Sequence, residues 1–289
     1  MRIVVTGRDG QVARALAERV AATTGHDLVH AARPEFDLEA PDTLAEAIAA
    51  LEPDLVVNAA AYTAVDKAES EPERAMAVNA TAAGEIARGA RLAGAPIVQL
   101  STDYVFDGAL DRPYREDDPV APLGAYGRSK LAGEIAVREA NPRHVILRTA
   151  WVYSPFGANF VKTMLRLAET RDEMGVVSDQ HGNPTSAFDI ADAILAVAGG
   201  LGSTNSGTYH LAGTGPATWH EFAQAIFEIA GPHLPKTPRV NAITTADYPT
   251  PAPRPANSRL DTGLFERTFG YRAPEWRTSL RETVERLFP

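Results

Sequence analysis

The 289-residue sequence contains no cysteine. A disulfide framework, a thiolate metal site and a Cys nucleophile are therefore all excluded. The absence fits a reducing compartment, the cytoplasm. Cations are also in short supply, with 28 Lys and Arg against 37 Asp and Glu and a net charge of −9. Such a balance argues against nucleic acid as a partner. An anionic ligand would have to be held by local donors rather than by the overall field. No apolar run approaches the ~20 residues that span a bilayer. The first strand-like run begins at Arg2, so no signal peptide is expected ahead of the fold and no membrane partner is implied. What is present is ordinary: 45% hydrophobic and 22% charged residues, enough to bury a core. At roughly 150 residues per domain, the length allows one large domain or two modest ones.

The chain opens with a strand candidate, Arg2–Thr6, then Gly7-Arg8-Asp9-Gly10-Gln11-Val12-Ala13, then a helical pattern through Leu16 and Val20. Strand, glycine turn and helix form the opening of a dinucleotide-binding unit. Gly7 permits the tight turn, and Gly10 lets the backbone approach a pyrophosphate at the helix N-terminus. The alternative is a structural turn between a strand and a helix. The second strand, Leu28–Ala32, ends without the acidic residue that takes a ribose 2′-OH. Arg33 follows instead, able to pair with a 2′-phosphate or simply to sit solvated in a loop, and Asp37 is placed for a ribose or adenine contact. Leu55–Asn58 is a continuous apolar strand running into Ala59-Ala60-Ala61, small residues that leave room for a ligand at the carboxyl edge of a parallel sheet. A long helix is expected from Glu73 to about Leu92. Pro96–Leu100 is the fourth strand, capped by Ser101-Thr102-Asp103, and a proline-rich loop leads to Tyr126.

Tyr126 and Lys130 are four residues apart at the head of a helical pattern, so they share a face. An unperturbed Tyr, with a pKa near ~10, is a poor acid at neutrality, and a neighbouring cation draws it toward the working range. A surface Tyr beside a solvated Lys is the alternative. Strands and helices alternate over residues 1–150, which implies parallel pairing. The glycine turn, Ala59–Ala61, Ser101/Thr102 and Tyr126/Lys130 then converge on one edge. Thr218 and Glu221 make a capping box for a later helix, and a final helix is expected from Leu280 to Leu287.

In this order the motifs resemble the extended short-chain dehydrogenase/reductase family, over nearly the whole chain. The stretches that carry the resemblance include Gly7-x-x-Gly10-Gln11-Val12, Asn58–Glu69, Ser101–Phe106, Tyr126-Gly127-x-Ser129-Lys130, Arg148–Tyr153 and Asn257–Leu260. The resemblance implies an α/β fold, a Rossmann-type doubly wound parallel sheet with a smaller, mixed C-terminal part. Residues 1–150, with 185–212 returning, would bind NAD(P); residues 151–184 and 213–289 would bind substrate. Within the family the match is to enzymes acting on a dTDP-keto-sugar. It implies reduction of the C4 ketone of dTDP-4-dehydro-6-deoxy-L-mannose to dTDP-L-rhamnose, with NADPH, or NADH, giving the hydride. In that reading Tyr126 is the proton donor. Lys130 lowers its pKa and hydrogen-bonds the nicotinamide ribose, and Thr102 hydrogen-bonds the sugar oxygen. Gly10, Gln11 and Val12 contact pyrophosphate; Ala61, Tyr62, Thr63 and Leu100 lie along the cofactor. Asp103 and Trp151 lie against the sugar, a core aromatic being the lesser alternative for Trp151. Arg254 and Arg259 are candidates for the substrate diphosphate.

Ala15 stands where some family members place an acidic Mg²⁺ ligand at a dimer interface. No metal is expected here, and a monomer and a homodimer both remain open. Two other activities compete. A nucleotide-sugar dehydratase or epimerase shares the scaffold, but dehydratases carry Glu after Thr-Asp, where Tyr104 stands. A non-catalytic regulatory subunit is the other, against which the intact Thr102, Tyr126 and Lys130 argue.

Overall fold

Short runs rich in Val, Ile and Leu build one six-stranded sheet. The computed structural model describes residues 1–200 and 205–288. Residues 201–204, inside the segment 185–212 expected to rejoin the sheet, and residue 289 lie outside the described residues. The strands are β1 (Arg2–Thr6), β2 (Asp27–Ala31), β3 (Leu55–Asn58), β4 (Ile97–Thr102), β5 (His144–Thr149) and β6 (Gly207–His210). Every neighbouring pair is parallel, in the order β6-β5-β4-β3-β1-β2. The chain winds outward in both directions from β1 and β3, so their carboxyl ends form the switch point where such sheets bind ligands.

Successive side chains in a strand point to opposite faces, and here both faces are covered. Ile3, Val5, Val57 and Val98 pack against Val12 and Leu16 of α1 (Gln11–Ala21), and Ile190 and Ile194 join from a second helix, Ala187–Gly200. Val4, Val56 and Ile97 face the other way, onto Leu44 and Ile48 of α2 (Leu44–Ala50) and Ile86 of α3 (Ala82–Leu92). Each such side chain contributes about 1.5–3 kcal/mol by leaving water. This is why the strands read as unbroken apolar runs. A separate cluster of Tyr153, Met164, Met174, Phe222, Trp276 and Leu280 forms the core of the C-terminal part. Its helix Trp219–Ala230 begins with the expected capping box: the Glu221 N–H donates to Thr218 Oγ1 at 3.1 Å, and the Thr218 N–H donates to Glu221 Oε2 at 2.7 Å.

The second strand is shifted by one residue from its expected bounds, and three elements differ by more. Strand β4 runs through Thr102 instead of ending at Leu100, because Ser101 and Thr102 pair with Arg148 and Thr149. The final helix starts at Trp276 rather than Leu280, where the Glu275 carboxylate accepts the Arg277 N–H at 2.9 Å. The long helix is not uniform: Pro72–Met76 is α-helical, Ala77–Thr81 is a π-helical turn, and α3 follows. The π turn contains Asn79, whose amide group bonds the Tyr62 N–H at 2.8 Å, the Tyr62 carbonyl at 3.0 Å and Ser129 Oγ at 2.9 Å. Its carbonyl lies directly against Gly133 of α4 (Ala125–Ala140).

A Cβ at residue 133 would overlap that carbonyl oxygen. Gly133→Ala is therefore expected to destabilise the fold by about 1–3 kcal/mol, as overpacking does. Urea unfolding of the two proteins measures the difference, and equal midpoints would show that α4 shifts freely.

Candidate active site

The glycine turn joins β1 to α1. Gly7 has φ +83°, a conformation that side chains disfavour, and a Cβ added there would lie 3.4 Å from the Ala60 Cβ. A Cβ at Gly10 would meet no protein atom within 4 Å. The N-cap of α1 has no side-chain partner, so first-turn N–H groups are available to an anion. A cavity of about 410 Å³ opens here, lined by Gly7, Gly10, Arg33, Ala61 and Tyr62. Arg8, Phe36, Leu38, Glu39 and Arg74 complete much of its wall. A nucleotide fits this donor set.

At the outer end of the cavity the charges form a chain. Arg33 Nη2 lies 2.8 Å from Asp37 and 2.7 Å from Glu39, and Arg74 Nη2 lies 2.8 Å from the same Glu39 carboxylate. Asp37 holds Arg33 and does not line the cavity; the carboxylate that does is Glu39. Thr63 is exposed and Val12 is packed in the core. Val12 can therefore serve a ligand only through its backbone.

Beneath the sheet edge runs a buried polar chain. Thr6 Oγ1 donates to Asn58 Oδ1 at 2.7 Å and accepts the N–H groups of Ala59 and Ala60. Asn58 Nδ2 donates to Gln99 Oε1 at 2.7 Å, and Gln99 Nε2 donates to the Leu100 carbonyl at 2.8 Å. Lys130 Nζ donates to that same carbonyl at 2.7 Å. The second turn of α4 and the end of β4 are thereby joined.

Thr102 Oγ1 donates to Asp103 Oδ1 at 2.9 Å and accepts the Tyr104 N–H at 3.2 Å. Tyr104 packs edge-on to Tyr126, with ring centroids 5.9 Å apart. Burial pushes the Tyr126 phenol up to about 12; the nearby Asp103 carboxylate adds to this, and the Thr102 hydroxyl opposes it. The expected fall in the Tyr126 pKa is thus not seen, because desolvation outweighs any help from a cation. Burial lowers Lys130 to about 8, against the attraction of Glu134. Burial also raises the Asp103 carboxyl to about 6, with the Ser258 and Thr102 hydroxyls opposing.

Glu134 lies one turn beyond Lys130. It is fully buried and takes a fork from Arg148 of β5, with Nε–Oε1 2.8 Å and Nη2–Oε2 2.7 Å. Ser101 Oγ donates to Oε1 at 2.6 Å, and Arg138 donates to Oε2 at 2.9 Å. Neither Glu134 nor Arg148 was among the site residues read from the sequence, yet the spacing Tyr126, Lys130, Glu134 keeps one helix face and carried the signal.

The sequence model of the family described as RmlD substrate binding domain matches residues 1–288. The dTDP-4-dehydrorhamnose reductase of Sinorhizobium fredii is 50% identical, over 98% of this chain and 97% of its own. The crystal structure of a dTDP-4-dehydrorhamnose reductase from Clostridium acetobutylicum is similar with a TM-score of 0.93, at 38% identity and covering 100% of both chains. That of the Bacillus anthracis protein, in complex with NADP, has a TM-score of 0.90 at 34% identity, covering 99% of this chain and 98% of that one. The chain belongs to the dTDP-4-dehydrorhamnose reductase family.

In this family member the remaining candidates divide. Trp151 adopts φ +47°, rare for a bulky residue. Its indole stacks on Trp219, with centroids 3.6 Å apart and planes 9° off parallel, and Gly182 leaves it room. Arg254 pairs with Asp66 at 2.9 Å and lies 5.9 Å from the Tyr104 ring. Ala252, Pro253 and Pro255 line a narrow cleft with Tyr104 and Tyr126. Arg259 is engaged elsewhere: Nε donates to Asn257 Oδ1 at 2.8 Å and Nη2 to the Asp111 carbonyl at 2.5 Å. Nothing in the spacing marked Glu39, Arg74 or Trp219, which come to the site from separate elements.

The Asp103 value gives a pH dependence. Its folded pKa lies above the ~3.9 of an unfolded Asp, so ionisation costs stability. The cost is absent below about pH 4, grows through about pH 6 and is full above it, reaching about 3 kcal/mol. Asp103→Asn should therefore unfold at higher urea than the parent at pH 7.5, with the gain vanishing by pH 4. A gain of equal size at both pH values would assign it to something other than this ionisation.

Proposed function

We propose that the protein reduces the C4 ketone of dTDP-4-dehydro-6-deoxy-L-mannose to dTDP-L-rhamnose with NADPH. The observation that carries this reading is the meeting of Thr102, Tyr126 and Lys130 at the carboxyl edge that also carries the glycine turn. The names of the full-length relatives, one of them in complex with NADP, support it.

Bound NADPH would supply the hydride. Gly7, Gly10 and the backbone N–H groups of Gln11 and Val12 would hold its pyrophosphate, and Arg33 and Arg74 would meet the adenosine 2′-phosphate. Ala61, Tyr62, Thr63 and Leu100 would flank the rest, with Lys130 toward the nicotinamide ribose. Residues 1–150 and 185–212 then form the dinucleotide part, and residues 151–184 and 213–289 the substrate part. The sugar lies against Thr102, Asp103 and Trp151. Both guanidinium groups have partners, Asp66 and Ala252 for Arg254 and Asn257 and Asp111 for Arg259; Arg254 is the better placed cation for the diphosphate because it lies 5.9 Å from the Tyr104 ring, beside Tyr126.

Tyr126 donates its phenolic proton to the oxygen at C4 as negative charge develops there. A phenol at about 12 is protonated throughout the neutral range, as a proton donor must be. The Thr102 hydroxyl favours the phenolate that remains. A charged Lys130, bonded to the Leu100 carbonyl, adds positive potential beneath the same edge.

The test follows NADPH absorbance with the dTDP-4-keto sugar. Oxidation is expected with the parent protein, and its absence would sink the reading. Tyr126→Phe should lose about 100-fold or more in turnover, the scale of general acid catalysis, while binding NADPH as before. Unchanged turnover would remove Tyr126 from the acid role. A panel of dTDP- and GDP-linked keto sugars fixes the nucleotide and the sugar.

A further inference from the structure

We propose that the Gln11 side chain couples the two ligand sites, so that filling the glycine turn tightens binding of the nucleotide sugar. The inference rests on the proposed function and deepens it.

Gln11 is the first residue of α1 and directly follows Gly10, the last residue of the turn that lines the cavity. Its side chain is directed at a different part of the protein. Ser154 Oγ donates to Gln11 Oε1 at 2.7 Å, and Asn159 Nδ2 donates to the same oxygen at 3.0 Å. Gln11 Nε2 donates to the Val152 carbonyl at 3.4 Å. These partners lie more than 140 positions along the chain. They form the segment that leaves β5 and enters the helix Phe160–Ala168.

That segment is wound tightly on itself. Asn159 caps the helix by accepting the Lys162 N–H at 3.2 Å and also donates to the Ser154 carbonyl at 2.8 Å. Ser154 is fully buried and accepts the Phe156 N–H at 3.1 Å. A displacement at Gln11 is therefore passed along the segment rather than absorbed. At its start lies Trp151, in its left-handed conformation one residue before Val152. Trp151 is the aromatic assigned above to the sugar.

A pyrophosphate held by the N–H groups of the turn restrains the Gln11 backbone. The amide then restrains Ser154 and Asn159, and through Val152 the position of Trp151. Such a coupling is reciprocal: whatever factor the dinucleotide adds to sugar affinity, the sugar adds to dinucleotide affinity. Arg14 provides a second contact on the same segment, its guanidinium 4.2 Å from the Phe156 ring. That contact remains when Gln11 is changed, so the segment keeps a tether and the variant has a route to the native fold.

The test uses the full chain, NADPH and dTDP-L-rhamnose, a pair that cannot turn over together. NADPH binding is read by nicotinamide fluorescence and the sugar by calorimetry, each alone and with the other saturating. In the parent protein each ligand should tighten the other by about fivefold or more, the low end of common couplings. Gln11→Leu, similar in bulk but unable to hydrogen-bond, should reduce the factor to about one. Ser154→Ala, outside the dinucleotide turn, should do the same, and the double variant should lose no more than either alone. A purely structural Gln11 would lower the melting temperature and leave the factor intact, which would overturn the inference. So would a parent that binds both ligands independently. If Gln11→Leu loses NADPH binding altogether, Ser154→Ala decides, and a full coupling factor there rejects the proposal. Failure of the parent to bind either ligand would overturn the reductase reading and this inference with it.

Discussion

The buried pair of Glu134 and Arg148 fixes the geometry on which the site depends. Glu134 stands on the helix that carries Tyr126 and Lys130, and Arg148 on the strand beside the one that carries Thr102. Their two-pronged contact, with Ser101 bonded to the same carboxylate, pins helix to sheet one turn from Lys130. Taking both charges out of water is expensive, and removing one partner from such a pair costs about 3–5 kcal/mol. The pair is thus better understood as fixing one docking of the helix than as adding net stability. On the opposite side Asn79 performs a similar task with neutral groups, bonding Tyr62 and Ser129 across the π turn. The helix Ala125–Ala140 is held at both flanks by polar contacts whose geometry has little slack.

The same economy appears beneath the sheet edge. Thr6, Asn58 and Gln99 are buried polar residues in largely apolar strands, and each is satisfied by its neighbour. Their chain ends on the Leu100 carbonyl, which also receives Lys130. Buried polar groups are costly unless paired, so a fully paired row both demands and enforces one register. Register in turn decides which side chains reach the edge.

Burial also decides the acid–base character of the centre. A cation four residues from a phenol suggests a depressed pKa, but the low-dielectric surroundings act on both groups at once. They raise Tyr126 and lower Lys130, and they raise Asp103 beside them. Desolvation keeps the proton on Tyr126 through the neutral range, as the proposed role of proton donor requires. The helical spacing revealed which groups meet; it carried no information about how much water they retain.

Much of the architecture was determined by sequence pattern alone. Continuous apolar strands, a glycine turn at the first strand end and a capping box at Thr218 are local signals, and the sheet and helices follow from them. The spacing of Tyr126 and Lys130 likewise fixed their shared face. Long-range pairing decided the rest. Thr102 remained in strand because Thr149 pairs with it, and the long helix contains a π turn at which Asn79 bonds Tyr62 and Ser129. Asp37 ceded the cavity wall to Glu39, Arg259 was engaged by Asn257 and Asp111, and Trp151 found Trp219. Each of these outcomes depends on residues distant in the chain whose side chains meet only after folding. Periodicity encodes the face a residue occupies, whereas the identity of its partner and its loss of water are properties of the packed tertiary structure.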